Sequence, residues 1–148
     1  EATGEPATQR DRRAAARTPR YRAVKIGLNW PDRAELYERI NRRVDYMFAS
    51  GLLEEAERVR GMHPGRTASQ AIGYKELFRY FDGLCTLDGY YHGEYSLDEA
   101  VRLVKKNTRR YAKRQLTWLR RDSDIYWVDA RNKEEIFFRS CKMIEQTI

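Results

Sequence analysis

Apolar positions along the chain fall into one short alternating run, one short unbroken run and five stripes of helical spacing. Val24-Lys25-Ile26-Gly27-Leu28-Asn29 alternates with the period of a strand, and Trp30-Pro31-Asp32 ends it and opens a helix. That helix is predicted from Asp32 to Ala49 on a stripe of Leu36, Ile40, Val44, Met47 and Phe48, with Gly51 as a left-handed cap. A more acidic helix follows from Leu52 to about Arg60, then a loop over Gly61 to Arg66. Thr67 and Gln70 have the spacing of a capping box, which predicts a helix to about Phe81 with Ala71, Tyr74, Leu77, Phe78 and Phe81 turned to the core. Asp82 to Tyr95 is rich in Gly and Tyr and reads as a long loop. Ser96 and Glu99 open a helix from Leu97 to about Arg121. Ile125 to Val128 reads as a second strand, and Asn132 with Glu135 caps a closing helix through about Ile144.

The fold class expected from this pattern is mainly α, with two short strands. Two such strands are too short to make a stable sheet alone. They are therefore expected to pair with strands from elsewhere, which makes the chain a piece of a larger α/β protein. Residues 1–22 carry six arginines, two prolines and an alanine cluster without apolar periodicity, and read as a basic linker or arm; residues 23–148 form the helical unit. No internal repeat is found.

Composition narrows the partners. The chain has 148 residues, 41% hydrophobic and 34% charged, enough for one core under a heavily charged surface. Its 29 Lys+Arg against 22 Asp+Glu leave a net charge of +7, which favours polyanionic partners. Cys85 and Cys141 are far apart and the chain has only His63 and His92, so a zinc cluster is not expected and reduced thiols are preferred over a disulfide. No stretch has the roughly 20 apolar residues of a membrane helix and the N-terminus has no signal-peptide core, so a soluble cytoplasmic protein is expected.

The charge is concentrated. Nine Lys/Arg and no acid lie between Arg102 and Arg121. Like charges four residues apart repel by a few tenths of a kcal/mol per pair, as at Lys105 and Arg109 or Arg110 and Arg114, so an anionic partner is expected to offset them. A solvated basic face is the plainer reading. The stripe Val101, Val104, Thr108, Tyr111, Ala112, Leu116 and Leu119 is expected to anchor this helix and turn the cations outward. For Trp118 two readings stand, a base-stacking surface or the core; Gln115 and Thr117 are candidates to bond base edges.

Two further residues break local rules. Arg43 follows Leu36 and Ile40 at helical spacing, on a face expected to be buried, so it needs either an internal carboxylate or a bound anion; Arg39 lies one turn earlier. Gly73, in Gln70-Ala71-Ile72-Gly73-Tyr74-Lys75, costs about 1 kcal/mol inside a helix. It admits either a close helix crossing or a nucleic acid, with Tyr74 in the core and Gln70 and Lys75 as contacts. Gly61 to Thr67 only superficially resembles a phosphate loop: its glycines are one residue too close, Arg replaces Lys, and no strand precedes it.

Three segments carry a resemblance. Leu36-Tyr37-Glu38-Arg39-Ile40-Asn41-Arg42-Arg43-Val44-Asp45, Gln70-Ala71-Ile72-Gly73-Tyr74-Lys75-Glu76 and Lys113-Arg114-Gln115-Leu116-Thr117-Trp118-Leu119-Arg120 resemble, in order, the C-terminal half of tRNA dimethylallyltransferases. The opening Glu1-Ala2-Thr3-Gly4 is similar to the end of the helix before that half. The resemblance implies magnesium-assisted transfer of a dimethylallyl group from dimethylallyl diphosphate to the exocyclic amine of adenosine 37, in a tRNA anticodon stem-loop; a monomer is expected. It implies a P-loop α/β core and an aspartate general base that these residues do not include. This chain alone is therefore expected to be inactive, with no catalytic residue and no magnesium ligand of its own. Gln70 to Lys75 and Lys113 to Arg120 are implied tRNA contacts, and Arg43 with Arg39 the diphosphate candidates. The stretch from about Leu84 to Gly93 is extra relative to the usual short turn. Two other readings stay open: a stand-alone, non-catalytic helical RNA-binding module, and a helical domain docking on an acidic protein, which leaves Arg43 unexplained.

Overall fold

The computed structural model describes residues 8–9, 12–13, 21, 23–83 and 96–147. Most of the basic arm (residues 1–22) and the long loop with its extra stretch at Leu84–Gly93 therefore lie outside the described residues. The elements run β1 (Lys25–Asn29), α1 (Arg33–Ala49), α2 (Leu52–Gly61), α3 (Arg66–Ser69), α4 (Tyr74–Phe81), α5 (Leu97–Leu119), β2 (Ile125–Asp129) and α6 (Lys133–Thr147). No helix among the described residues is long and apolar enough to cross a membrane.

The caps show why the helices begin where they do. Asp32 Oδ1 accepts from the Ala34 N–H at 2.7 Å and opens α1; Ser96 Oγ accepts from the Glu99 N–H at 3.2 Å and opens α5. Asn132 Oδ1 accepts from the Glu134 N–H at 3.0 Å at the start of α6. Gly51, between α1 and α2, has φ of +97°, the left-handed conformation expected of it.

The helical core lies where α2, α4 and α5 meet: Leu52, Ala56, Leu77, Ala100 and Leu103 are buried together, with Met47, Phe48, Tyr74 and Phe78 packed around them. Leu77 is 0% exposed. Val44 of α1 and Val104 of α5 are buried as well, in the two helices that pack along each other.

The strands are not solitary. β1 and β2 pair with each other in parallel, Lys25 opposite Ile125 through Asn29 opposite Asp129. Gly27 lets them fit: a Cβ there would lie 2.7 Å from Ile125 Cγ2 and 2.8 Å from the Trp127 ring. Lys25 Nζ bonds Asp122 at 2.7 Å and fastens the start of β1 to the turn before β2. That contact holds the Asp122 carboxyl below the usual carboxylate range and pushes Lys25 up.

The helix predicted from Thr67 to Phe81 is two helices. Gln70 to Gly73 form a turn between α3 and α4, and Gly73 has φ of +103°, which a helix does not allow. Gly73 is thus outside a helix interior, and the nearest atom to a Cβ built on it is Leu52 Cδ2 at 4.0 Å, so no close backbone crossing requires it. Conformation, rather than crowding, selects the glycine. The Thr67–Gln70 capping box does not form, since α3 is capped at Gly65 without a side-chain bond. The capping carboxyl is that of Glu76, whose Oε2 accepts from the Gly73 N–H at 2.8 Å.

Candidate nucleic-acid interface

Helix α5 has to be amphipathic to sit on the core, and its buried residues, Ala100, Leu103 and Val104, all lie in its first half. The second half therefore projects its long side chains outward. Of the nine cations between Arg102 and Arg121, two meet carboxylates among the described residues: Arg102 with Glu99 at 3.0 Å and Lys105 with Asp45 of α1 at 2.5 Å. Arg109 reaches Asn41 and lies 5.9 Å from the centre of the Tyr37 ring. Lys106, Arg110, Lys113, Arg114, Arg120 and Arg121 have no acidic partner among the described residues.

Arg110, Lys113, Arg114, Thr117, Trp118 and Arg121 line one shallow depression of about 380 Å³. Trp118 is 70% exposed, which removes the core reading and leaves an indole presented to solvent among cations. Gln115 is exposed, while Leu116 and Leu119 are half-buried and seat the helix.

A second, larger concavity of about 510 Å³ lies between α1, the Gln70–Gly73 turn and α5. Arg43 and Met47 line one wall, Gln70, Ala71 and Ile72 the second, and Thr108, Tyr111 and Arg114 the third. The structure thus brings Arg43, Gln70–Ile72 and Arg114 to one groove, from three segments well separated in the sequence. It does not bury Arg43. Val44, 2% exposed, takes the inward position, and Arg43 is exposed at the groove wall without a carboxylate partner among the described residues. Arg39 does not line this groove; its guanidinium sits over the Trp30 ring, 4.2 Å from the centroid. Lys75 is half-buried and is not among the groove residues. Tyr74 packs parallel to Phe78 with ring centres 5.9 Å apart, and its hydroxyl donates to Glu55, which pushes its pKa up.

Sequence reasoning missed two parts of the arrangement. Tyr111 belongs to the apolar stripe by spacing yet is 47% exposed at the groove. Glu76, 3% exposed, bonds the Gly73 N–H and, through Oε1, accepts from Asn107 Nδ2 at 2.7 Å. An acid three residues after a glycine was the available signal, once that glycine is taken as a helix start. No group of three or more His, Cys, Asp or Glu suited to a metal ion occurs among the described residues.

A family model described as IPP transferase matches residues 1–122. A tRNA dimethylallyltransferase of Halothermothrix orenii is 46% identical over 127 residues, covering 84% of this chain and 35% of that protein. Its counterpart in Shouchella clausii is 47% identical over 132 residues, covering 89% and 38% respectively. The chain thus spans less than two fifths of the length of these relatives. Among solved structures, a tRNA Δ(2)-isopentenylpyrophosphate transferase from Staphylococcus epidermidis superposes with a TM-score of 0.73 at 30% identity, over 98% of this chain and 45% of that one. The tRNA isopentenylpyrophosphate transferase of Bacillus halodurans gives 0.65 at 41% identity, over 83% and 40%.

Proposed function

Because this chain belongs to the IPP transferase family, we propose that it serves a tRNA-modifying prenyl transfer, in which it chiefly holds the tRNA. The reaction is transfer of the dimethylallyl group of dimethylallyl diphosphate to the exocyclic amine of adenosine 37, beside the anticodon. The relatives' names support the coarser part of it, dimethylallyl transfer to tRNA. One observation carries this chain's share in it: Arg43, Gln70–Ile72 and Arg114 converge on a single groove, beside an exposed Trp118 ringed by cations.

Each group has a part. Lys113, Arg114, Arg120 and Arg121 attract the phosphate backbone, an interaction that weakens steeply with salt. Trp118 offers an exposed ring on which an unstacked base of the loop can stack. Gln70 and the backbone of the turn offer hydrogen bonds at the groove wall. Arg43, a planar donor without an acid beside it, suits the leaving diphosphate.

The test is fluorescence anisotropy of this chain with an anticodon stem-loop carrying unmodified adenosine 37, and with one in which that base is changed, over a salt series. Binding that falls with salt and weakens in Lys113→Ala and Arg114→Ala is the expected result. Preference for the adenosine loop assigns target selection to this unit; equal binding assigns it electrostatic grip alone. No binding at low salt would overturn the reading.

A further inference from the structure

In the Gln70–Gly73 turn, Gln70, Ala71 and Ile72 are exposed and only Gly73 is buried. The turn's own hydrogen bonds among the described residues are local. The Gln70 and Ala71 N–H groups donate to Thr67 and Ala68, the Ala71 and Gly73 carbonyls accept from Lys75 and Leu77, and the Gly73 N–H donates to Glu76. The apolar core reaches back along α4 as far as Tyr74 and stops short of the turn's exposed side chains. What crosses the groove is the second oxygen of Glu76. It accepts from Asn107 Nδ2 at 2.7 Å, one residue before Thr108 and one turn before Tyr111, both of which line the α5 wall.

Glu76 is 3% exposed, and burying a carboxylate is costly unless it is bonded. The helix beside it carries nine cations between Arg102 and Arg121, yet Glu76 forms no ion pair among the described residues. Both its partners are uncharged donors, a backbone N–H and an amide. Capping Gly73 needs one acceptor only. Two directional bonds to different segments also fix the distance between those segments. We infer, on the basis of the proposed RNA grip, that Glu76 and Asn107 are positioning residues of the groove. The bond between them holds Gln70, Ala71 and Ile72 at a set distance from Thr108 and Tyr111, so that an unpaired RNA base enters a slot already formed. Such preorganisation strengthens binding, because the turn need not be ordered when the RNA arrives.

Asn107→Ala removes the tie and leaves the Gly73 cap in place. Anisotropy with the anticodon stem-loop over a salt series, together with NMR relaxation of the backbone amides in the free proteins, tests it. In the parent the Gln70–Ile72 amides are expected to be as ordered as those of α4; in Asn107→Ala they loosen. Affinity of that variant is expected to fall about fivefold, the effect of having to order one or two side chains on binding. The slope of log affinity against log salt stays at the parent's value, because no cation is lost. Glu76→Ala is expected to weaken binding as well, and adding Asn107→Ala to it to weaken it no further, since the bond is already gone. Val128→Ala opens a cavity in β2, outside the groove, and is expected to lower stability while leaving RNA affinity unchanged. That separates placement from general destabilisation. The inference falls if Asn107→Ala binds the stem-loop like the parent, or if its turn is as ordered as the parent's. It falls too if the lost affinity comes with a shallower salt slope, the result expected when Asn107 acts through its neighbour Lys106. A parent that binds no stem-loop at low salt overturns the proposed grip and this inference together; a parent that binds, beside an Asn107→Ala variant that binds equally, overturns this inference alone.

Discussion

Glu76 and Asn107 share a hydrogen bond of 2.7 Å, and through it the turn that forms one wall of the groove is tied to α5, which forms another. The same carboxyl group closes the turn on itself at the Gly73 N–H. Two walls of the groove thus depend on one buried side chain.

Glu76→Ala is expected to lower stability by about 1–3 kcal/mol, because it strands the Gly73 N–H and the Asn107 amide without their acceptor. Glu76→Gln keeps a carbonyl oxygen for Gly73 and is expected to cost less. Urea unfolding of the three proteins measures the order; equal stability of the alanine variant and the parent would contradict it.

Gly73→Ala and Gly27→Ala should both destabilise, for different reasons. At Gly73 the space is open but the backbone is not one an alanine adopts readily, so a cost of about 1–2 kcal/mol is expected. At Gly27 the added methyl meets Ile125 and Trp127, and the cost of about 1–3 kcal/mol is that of overpacking. Near-ultraviolet circular dichroism separates them, since only the second should alter the Trp127 environment.

Acid should loosen the link between Lys25 and Asp122. The folded Asp122 carboxyl titrates below its unfolded value, so its contribution is fully present above about pH 4 and is lost as pH falls through the lower folded value. The stability difference between the parent and Asp122→Asn is therefore expected at pH 7, shrinking toward zero as pH falls through the lowered folded value. Because the pair is exposed, added salt should reduce the difference at pH 7 as well.

RNA binding should separate charge from stacking. Lys113→Ala and Arg114→Ala are each expected to lower the slope of log affinity against log salt by about 1. Trp118→Ala is expected to cost about 1–3 kcal/mol of binding at every salt concentration and to leave the slope alone. Anisotropy titrations at four salt concentrations distinguish the two patterns.

Much of the fold is legible along the chain, because caps and periodicity are local. Asp32, Ser96 and Asn132 start helices as their side chains predict, and the two short apolar runs are strands. The turn at Gln70–Gly73 escapes that reading because Ala71, Tyr74, Leu77 and Phe78 keep helical spacing across it; only a backbone angle at Gly73 breaks the helix. Arg43 is misplaced inward for a related reason. A stripe on a helix is broad, and its edge positions are decided by what packs opposite, where Val44 wins. The pairing of Lys105 with Asp45, like the meeting of Arg43 with Arg114 at one groove, joins helices distant in sequence. No run of neighbours along the chain reports either.

The parallel pairing of β1 with β2 has a kinetic consequence. Each register pair joins residues about 100 positions apart, whereas the helices close over short spans. Closing so long a segment costs chain entropy before any strand contact repays it, so the helical bundle is expected to assemble first and the two strands to zip last. The contact of Lys25 with Asp122, which lies at the start of β1, would then be among the last features of the molecule to take shape.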